Sequence, residues 1–447
     1  MDGAAEYNVR AVLLDLASAV RNRVALSLKN GEIQKKSISY TTYVCTGLTW
    51  EPHRKGATFG QSTVVRTEWP QKEVRRLWDG TIAPLRELAT AKDVIGQAYG
   101  QDDWRLRTTY LEHYAWKLMA SDDATDMLIS KETDALLRNL KDCRTDFAVT
   151  VWLCGVQPAD EALAIRAGAT LRQLTADDLT ELLQGYPFGL DTVPHEASIL
   201  ELALRARNHM DARDQVDRIV HTLLLFRLCS AHCEGLALPP FGFSLPSQQR
   251  SILREAPRAC HYRCTIGTAD ITALDRFTTK IGPLLPFPRH DQARKVSPIS
   301  VACEWFTKSV LSSGNVEARI MAATACLEAL LMDKEAELSH RLSERAAALL
   351  RHAGHNPREV YDNVRSAYDI RSRYVHGSAM DRKQAPSATS LARNLAEYCR
   401  LALSIFIQLS ATRPKKEIVR ILDDSIFEAK ALDDLRSIIG NEVVLTQ

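Results

Sequence analysis

The segment "GPLLPFPRHDQARKVSP", residues 282–298, sets four prolines among charges and divides the chain into two textures. Proline has no amide proton and a fixed φ, so neither a helix interior nor a paired strand runs through such a stretch. Beyond it the apolar residues recur at helical spacing. One helix is expected over 302–312; Ile320, Ala323, Leu327, Leu330 and Leu331 mark a second, and Leu338, Leu342, Ala346 and Leu349 a third. A fourth carries its own boundary signals: Asn356 as cap, Pro357 at the first helical position, Glu359 at the capping-box position and Gly377 just past the end. A fifth is expected over 388–411 and another after Pro414. Residues 298–447 therefore read as a helical domain.

Before the prolines the pattern is mixed. "FAVTVWLCGV", from Phe147, is a short apolar run rich in β-branched and aromatic residues, and "LAIRAGATLRQLT" reads as two short strands about a glycine turn. In "SILELALRAR", Leu200, Leu202 and Leu204 alternate with Glu201, Ala203 and Arg205, which turns one face of a strand inward. A helix carrying Cys229 is expected near 212–230, and after "HYRCTI" a short helix near 270–282. Residues 146–290 thus read as a mixed α/β domain suited to a sensor or regulatory role. Residues 1–145 read as mostly helical, with a polar break at "KNGEIQKK", a loop-like "EPHRKGATFGQST" and no recognisable chemistry. The fold class expected for the whole is α+β, mainly α.

Composition narrows the partners little. With 45% hydrophobic and 25% charged residues the chain has the balance of a soluble globular protein. No stretch reaches the roughly 18 uncharged apolar residues of a membrane helix, so no membrane partner is expected. The first helix-like run is interrupted by Asp15, Arg21 and Arg23 and does not read as a secretion signal. Ten scattered cysteines then suggest reduced thiols in a cytoplasmic protein. A net charge of +2 confines any nucleic-acid surface to a local patch.

The phrase "YDIRSRYVHG" places Arg371 five positions before His376 at the end of the fourth helix, where the helix dipole favours cations. Spacing alone is weak. Arg107 with His113, Arg227 with His232, Arg254 with His261 and Arg345 with His352 repeat it with four to six residues between. Five residues of helix turn the side chains by about 140° and separate them by about 7.5 Å, so only a long arginine or a bent helix end brings both to one phosphate. A basic last turn that merely complements the dipole explains the spacing equally well.

"CLEALLMDKEAELSHRLSERAAALL" at 326–350 together with "EVYDNVRSAYDIRSRYVHG" at 359–377 resembles the HEPN superfamily, and within it the Apea-like HEPN domain, over about 300–412. The resemblance implies a helical bundle that forms a homodimer, two Arg/His motifs facing one cleft, and RNA as substrate. It implies metal-independent endoribonuclease chemistry at Arg371 and His376, with no cofactor, and a growth-arresting role in anti-phage defence. The activator, phage-derived or a nucleotide, is not readable. Ser372 stands where active members often carry Asn, Asp or His. Glu328 and Glu337 fall on the flanking helices, and His340 and Arg341 extend the basic character. Glu337, Arg341 and Arg345, at four-residue steps, also make an ion-pair ladder. The alternative is a non-catalytic HEPN module that binds RNA or dimerises.

Cys229, Cys233, Cys260 and Cys264, with His232 and His261 beside them, invite a zinc reading. Their four-residue spacing and the apolar setting of Cys229 favour ordinary buried thiols, and no metal is expected. "GQAYG" lacks the lysine of a phosphate loop, and neither HExxH nor a nucleophile elbow occurs.

Overall fold

The computed structural model describes residues 3–32, 36–51, 54–68, 75–100, 102–121, 125–166, 168–184, 197–239, 251–254, 259–286, 296–332, 338–377 and 385–446. The fold is α+β and mainly α.

The first part is helical with one long hairpin. Helices α1 (Gly3–Lys29), α2 (Arg86–Tyr99), α3 (Trp104–Ala120) and α4 (Asp126–Asp142) close a core in which Leu13 and Leu16 meet Leu111, Ala115, Leu136 and Leu140. Strands β1 (Lys36–Glu51) and β2 (Arg54–Glu68) pair antiparallel along their length, with a register shift between Cys45 and Gly47. This corrects the loop expected at "EPHRKGATFGQST". Its glycines argue against a strand locally, but the register pairs Thr58, Gly60 and Thr63 with Gly47, Val44 and Thr41. Cross-strand pairing outweighs single-residue preference here.

Residues 145–266 build the sheet: β3 (Thr145–Cys154), β4 (Val156–Pro158), β5 (Ala162–Arg166), β6 (Ala169–Gln173), α5 (Ala176–Gln184), β7 (Ser198–Ala206), α6 (His209–Phe226), β8 (His232–Leu238), β9 (Ser251–Arg254) and β10 (Cys264–Ile266). Six strands lie in the order β5-β6-β7-β3-β8-β9, and β4 pairs with β10 apart from them. The alternation in "SILELALRA" is realised, with Leu200, Leu202 and Leu204 buried and Glu201 exposed. Central β3 shows the same period on two covered faces. Val149, Val151 and Leu153 face the large core, while Trp152 and Cys154 face a smaller one with Leu179 of α5. The Trp152 indole N–H donates to the Asp178 carbonyl at 3.2 Å.

The helix expected to carry Cys229 stops earlier. The last residue of α6 is Phe226; Arg227 is its extended C-cap, Cys229 lies in the link that follows, and His232 opens β8. Arg227 forks onto Asp270, which pulls the chain out of the helix.

After α7 (Ile271–Ile281) come α8 (Pro298–Leu311), α9 (Val316–Leu331), α10 (Leu338–Leu350), α11 (Pro357–Val375), α12 (Ala385–Leu409), α13 (Lys415–Phe427) and α14 (Ala429–Glu442). The start of α8 follows from the last proline of the break: the Ser297 hydroxyl accepts the Ser300 amide at 3.1 Å and Pro298 occupies the first turn. These helices share one continuous core with the sheet, running from Phe147 to Ile439. Helix α6 is the hinge of that packing, in contact with β7 on one side and α12 on the other.

Candidate active site

Helix α11 begins and ends where its sequence says. The Asn356 side chain accepts the Arg358 amide at 2.9 Å, and Gly377, at φ 75°, takes the left-handed conformation just past the end. Its inward stripe is Val360, Val364 and Ala367, all fully buried. The next position of that stripe is Arg371. The helix therefore aims a guanidinium at the bundle where an apolar residue is the rule.

Arg371 meets Glu328 of α9, with Nη2 donating to Oε2 at 3.3 Å, and its guanidinium carbon sits 5.4 Å from the Tyr368 ring centroid. The arginine side chain is 31% exposed and the glutamate 20%. The other carboxylate oxygen of Glu328 is buried and has no partner among the described residues. Burial raises the Glu328 pKa above its ordinary value, and Arg371 opposes that rise. His376 caps the same helix and is exposed, its backbone amide donating to the Ser372 carbonyl at 3.2 Å. Ser372 is half-buried between them. Tyr374 and Val375, 37% and 62% exposed, place apolar surface beside the histidine.

Burial separates this pair from the others of like spacing. Arg107 is buried and donates to the carbonyls of Leu140 and Tyr99. Arg227 is forked on Asp270, and its His232 is buried. Arg345 is 2% exposed, with its fork on Asp423 at 2.7 and 2.8 Å. The side chain of Arg254 lies outside the described residues. Among the pairs described, Arg371 and His376 form the one in which neither member is buried.

His340 and Arg341 are not gathered there. Glu337 lies outside the described residues. His340 of α10 bonds the Tyr361 hydroxyl at 2.9 Å and Glu344 at 3.1 Å. Tyr361 precedes Arg371 by ten residues, about 15 Å along the helix. Arg341, exposed, neighbours His340. A cleft of about 740 Å³ lined by Arg351, His352, His355, Glu397 and Arg400 opens near the other end of α11. Burial, then Arg351 and Arg436, lowers the pKa of His352 there.

The four cysteines divide. Cys229 is buried, its thiol donating to the Leu223 carbonyl at 3.5 Å. Cys154, His232 and Glu234 instead converge, with ligand atoms all within 4.8 Å of one another. Cys154 and Glu234 carried no signal in the sequence, since they meet only through strand register.

No protein-family model, curated protein or solved structure matches the chain.

Proposed function

We propose that the chain is an endoribonuclease that works through Arg371 and His376 and leaves 2′,3′-cyclic phosphate ends. The observation that carries this reading is that, among the described pairs of this spacing, this one has neither member buried, with His376 exposed at a helix end and Arg371 half-buried against Glu328. The likeness of 326–377 to HEPN domains supports it. The forked guanidinium binds a non-bridging phosphate oxygen pair and stabilises the negative charge that develops on those oxygens. An imidazole takes the proton of the neighbouring ribose 2′-hydroxyl; the 2′-oxygen bonds phosphorus as the bond to the 5′-oxygen breaks. A protonated imidazole gives that leaving oxygen its proton, producing a 5′-hydroxyl end. The motif supplies one histidine per chain, His376, which cannot serve both sides of one phosphate, so the reaction calls for two copies. Tyr374 and Val375 offer apolar surface for that pairing beside the histidine. DNA lacks the nucleophile and is not cut. A growth-arresting defence role fits such an activity.

A second reading, an RNA-binding module without catalysis, is favoured by the Glu328 contact, which engages the arginine. Single-stranded RNA incubated with wild type, Arg371→Ala and His376→Ala, without added divalent metal, separates the two. Cleavage by wild type with cyclic-phosphate ends is expected, falling about a hundred- to a thousandfold in each variant. Equal cleavage by all three, or none by any while RNA still binds, refutes the ribonuclease assignment.

A further inference from the structure

The end of β3 meets the start of β8 in a way that joins three residues of unlike chemistry. Cys154, last in β3, is the register partner of His232, first in β8. One step on, Leu153 pairs with Cys233 and Trp152 with Gly235, so Glu234 is the extra residue of a β-bulge. Bulges re-aim side chains, and this one leaves thiol, imidazole and carboxylate within 4.8 Å of one another. All are buried, at 9%, 2% and 7% exposure for Cys154, His232 and Glu234.

The hydrogen bonding sets His232 and Glu234 acceptor against acceptor. His232 Nδ1 lies 2.8 Å from the Ser230 carbonyl oxygen, an acceptor, so this nitrogen carries a proton and donates. That leaves the Nε2 lone pair facing Glu234 Oε2 at 3.3 Å, one acceptor against another. Either a second proton or a metal ion must lie between them. The arrangement is that of a metal-ligating histidine, whose other ring N–H is fixed by a backbone carbonyl.

The surrounding backbone is held firmly. The Ser230 hydroxyl donates to the Val310 carbonyl at 2.8 Å and accepts the amides of His261 and Tyr262, each at 3.1 Å. Gly155, at φ 81°, passes so near that a Cβ there would stand 2.3 Å from the Ser230 oxygen. The Cys233 and Cys260 thiols donate to the Gly235 and Tyr262 carbonyls, at 3.2 and 3.8 Å, and do not join the three.

We propose that Cys154, His232 and Glu234 bind one zinc ion that clamps β3 to β8, a structural site separate from Arg371 and His376. Sulfur, imidazole nitrogen and carboxylate oxygen in a buried, compact set suit zinc, whereas calcium and magnesium take all-oxygen shells.

The test is metal analysis of the full chain, purified without chelator, alongside Cys154→Ser, His232→Gln, Glu234→Gln and Cys229→Ser. Zinc is expected in a one-to-one ratio in wild type and in Cys229→Ser, with affinity reduced about tenfold or more in the other three. Because a variant can fail to fold, cobalt titration of the stripped wild type provides an independent readout, with a thiolate-to-cobalt charge-transfer band expected. Wild type that neither carries zinc nor gives that band overturns the site in favour of a buried His–Glu ion pair. Metal retained by all three ligand variants, or lost in Cys229→Ser, overturns the choice of ligands.

Discussion

Glu328 determines how tightly Arg371 is held. It offers one oxygen to the guanidinium at 3.3 Å and buries the other without a partner among the described residues, and burial raises its pKa from an ordinary 4.5. A raised carboxyl binds more protons folded than unfolded between the two pKa values. Stability contributed by this group is therefore greatest at low pH, falls as pH rises through that window, and is level above it. Glu328→Gln should flatten this part of the profile, measured as unfolding free energy by denaturant titration across mildly acidic pH; an unchanged slope would show that the carboxylate is solvated after all. The same pair shows the reach of sequence at this scale. Residue types and spacing picked out Arg371 and His376 together with four equivalents, and only the fold distinguishes them, because Arg345 finds Asp423 across 78 positions. Arg371→Lys tests the fork, since lysine keeps the charge but not the paired donors. Under the ribonuclease reading cleavage falls sharply while RNA binding at low salt persists.

Elements were legible where their signals are local. Asn356, Pro357 and Gly377 bound α11 because a cap, a fixed φ and a left-handed stop act within a turn. Alternation in 198–206 announced β7 for the same reason. The β1–β2 hairpin depended instead on cross-strand pairing, and the stop of α6 at Phe226 on a partner far along the chain, as Arg227 on Asp270 illustrates. The meeting of Cys154 with Glu234 depended on a bulge that no periodicity records. Gly155 makes the point testable. A side chain there faces both a positive φ of 81° and the backbone of Ser230 and Ala231. Gly155→Ala should cost well over about 1 kcal/mol, more than the usual penalty for a glycine replaced at positive φ, read as a lowered denaturation midpoint with unchanged m-value. A loss of a few tenths would mean that the link 227–231 yields freely.

At the scale of the molecule a proline-rich segment marks where texture changes, but says nothing about whether the flanking cores merge. Here they do, and Arg400 of α12 shows how. It is 2% exposed, forks onto Glu397 at 2.6 and 2.8 Å, and donates to the carbonyls of Leu225 and Phe226 at 2.8 and 3.0 Å. Those are the last carbonyls of α6, which have no partner within their own helix. A cation there also complements the helix dipole. The same guanidinium reaches the Thr446 hydroxyl and carbonyl at 3.1 and 3.0 Å, tying the chain's last residues to the junction. Truncation leaves buried acceptors bare, so Arg400→Ala should lose about 3–5 kcal/mol. Since sheet and helices share one core, hydrogen exchange should quicken in β3, α6 and α12 together, while α1 and α3, in their own core, keep their protection. Loss confined to α12 would mean that the shared core does not unfold as one unit.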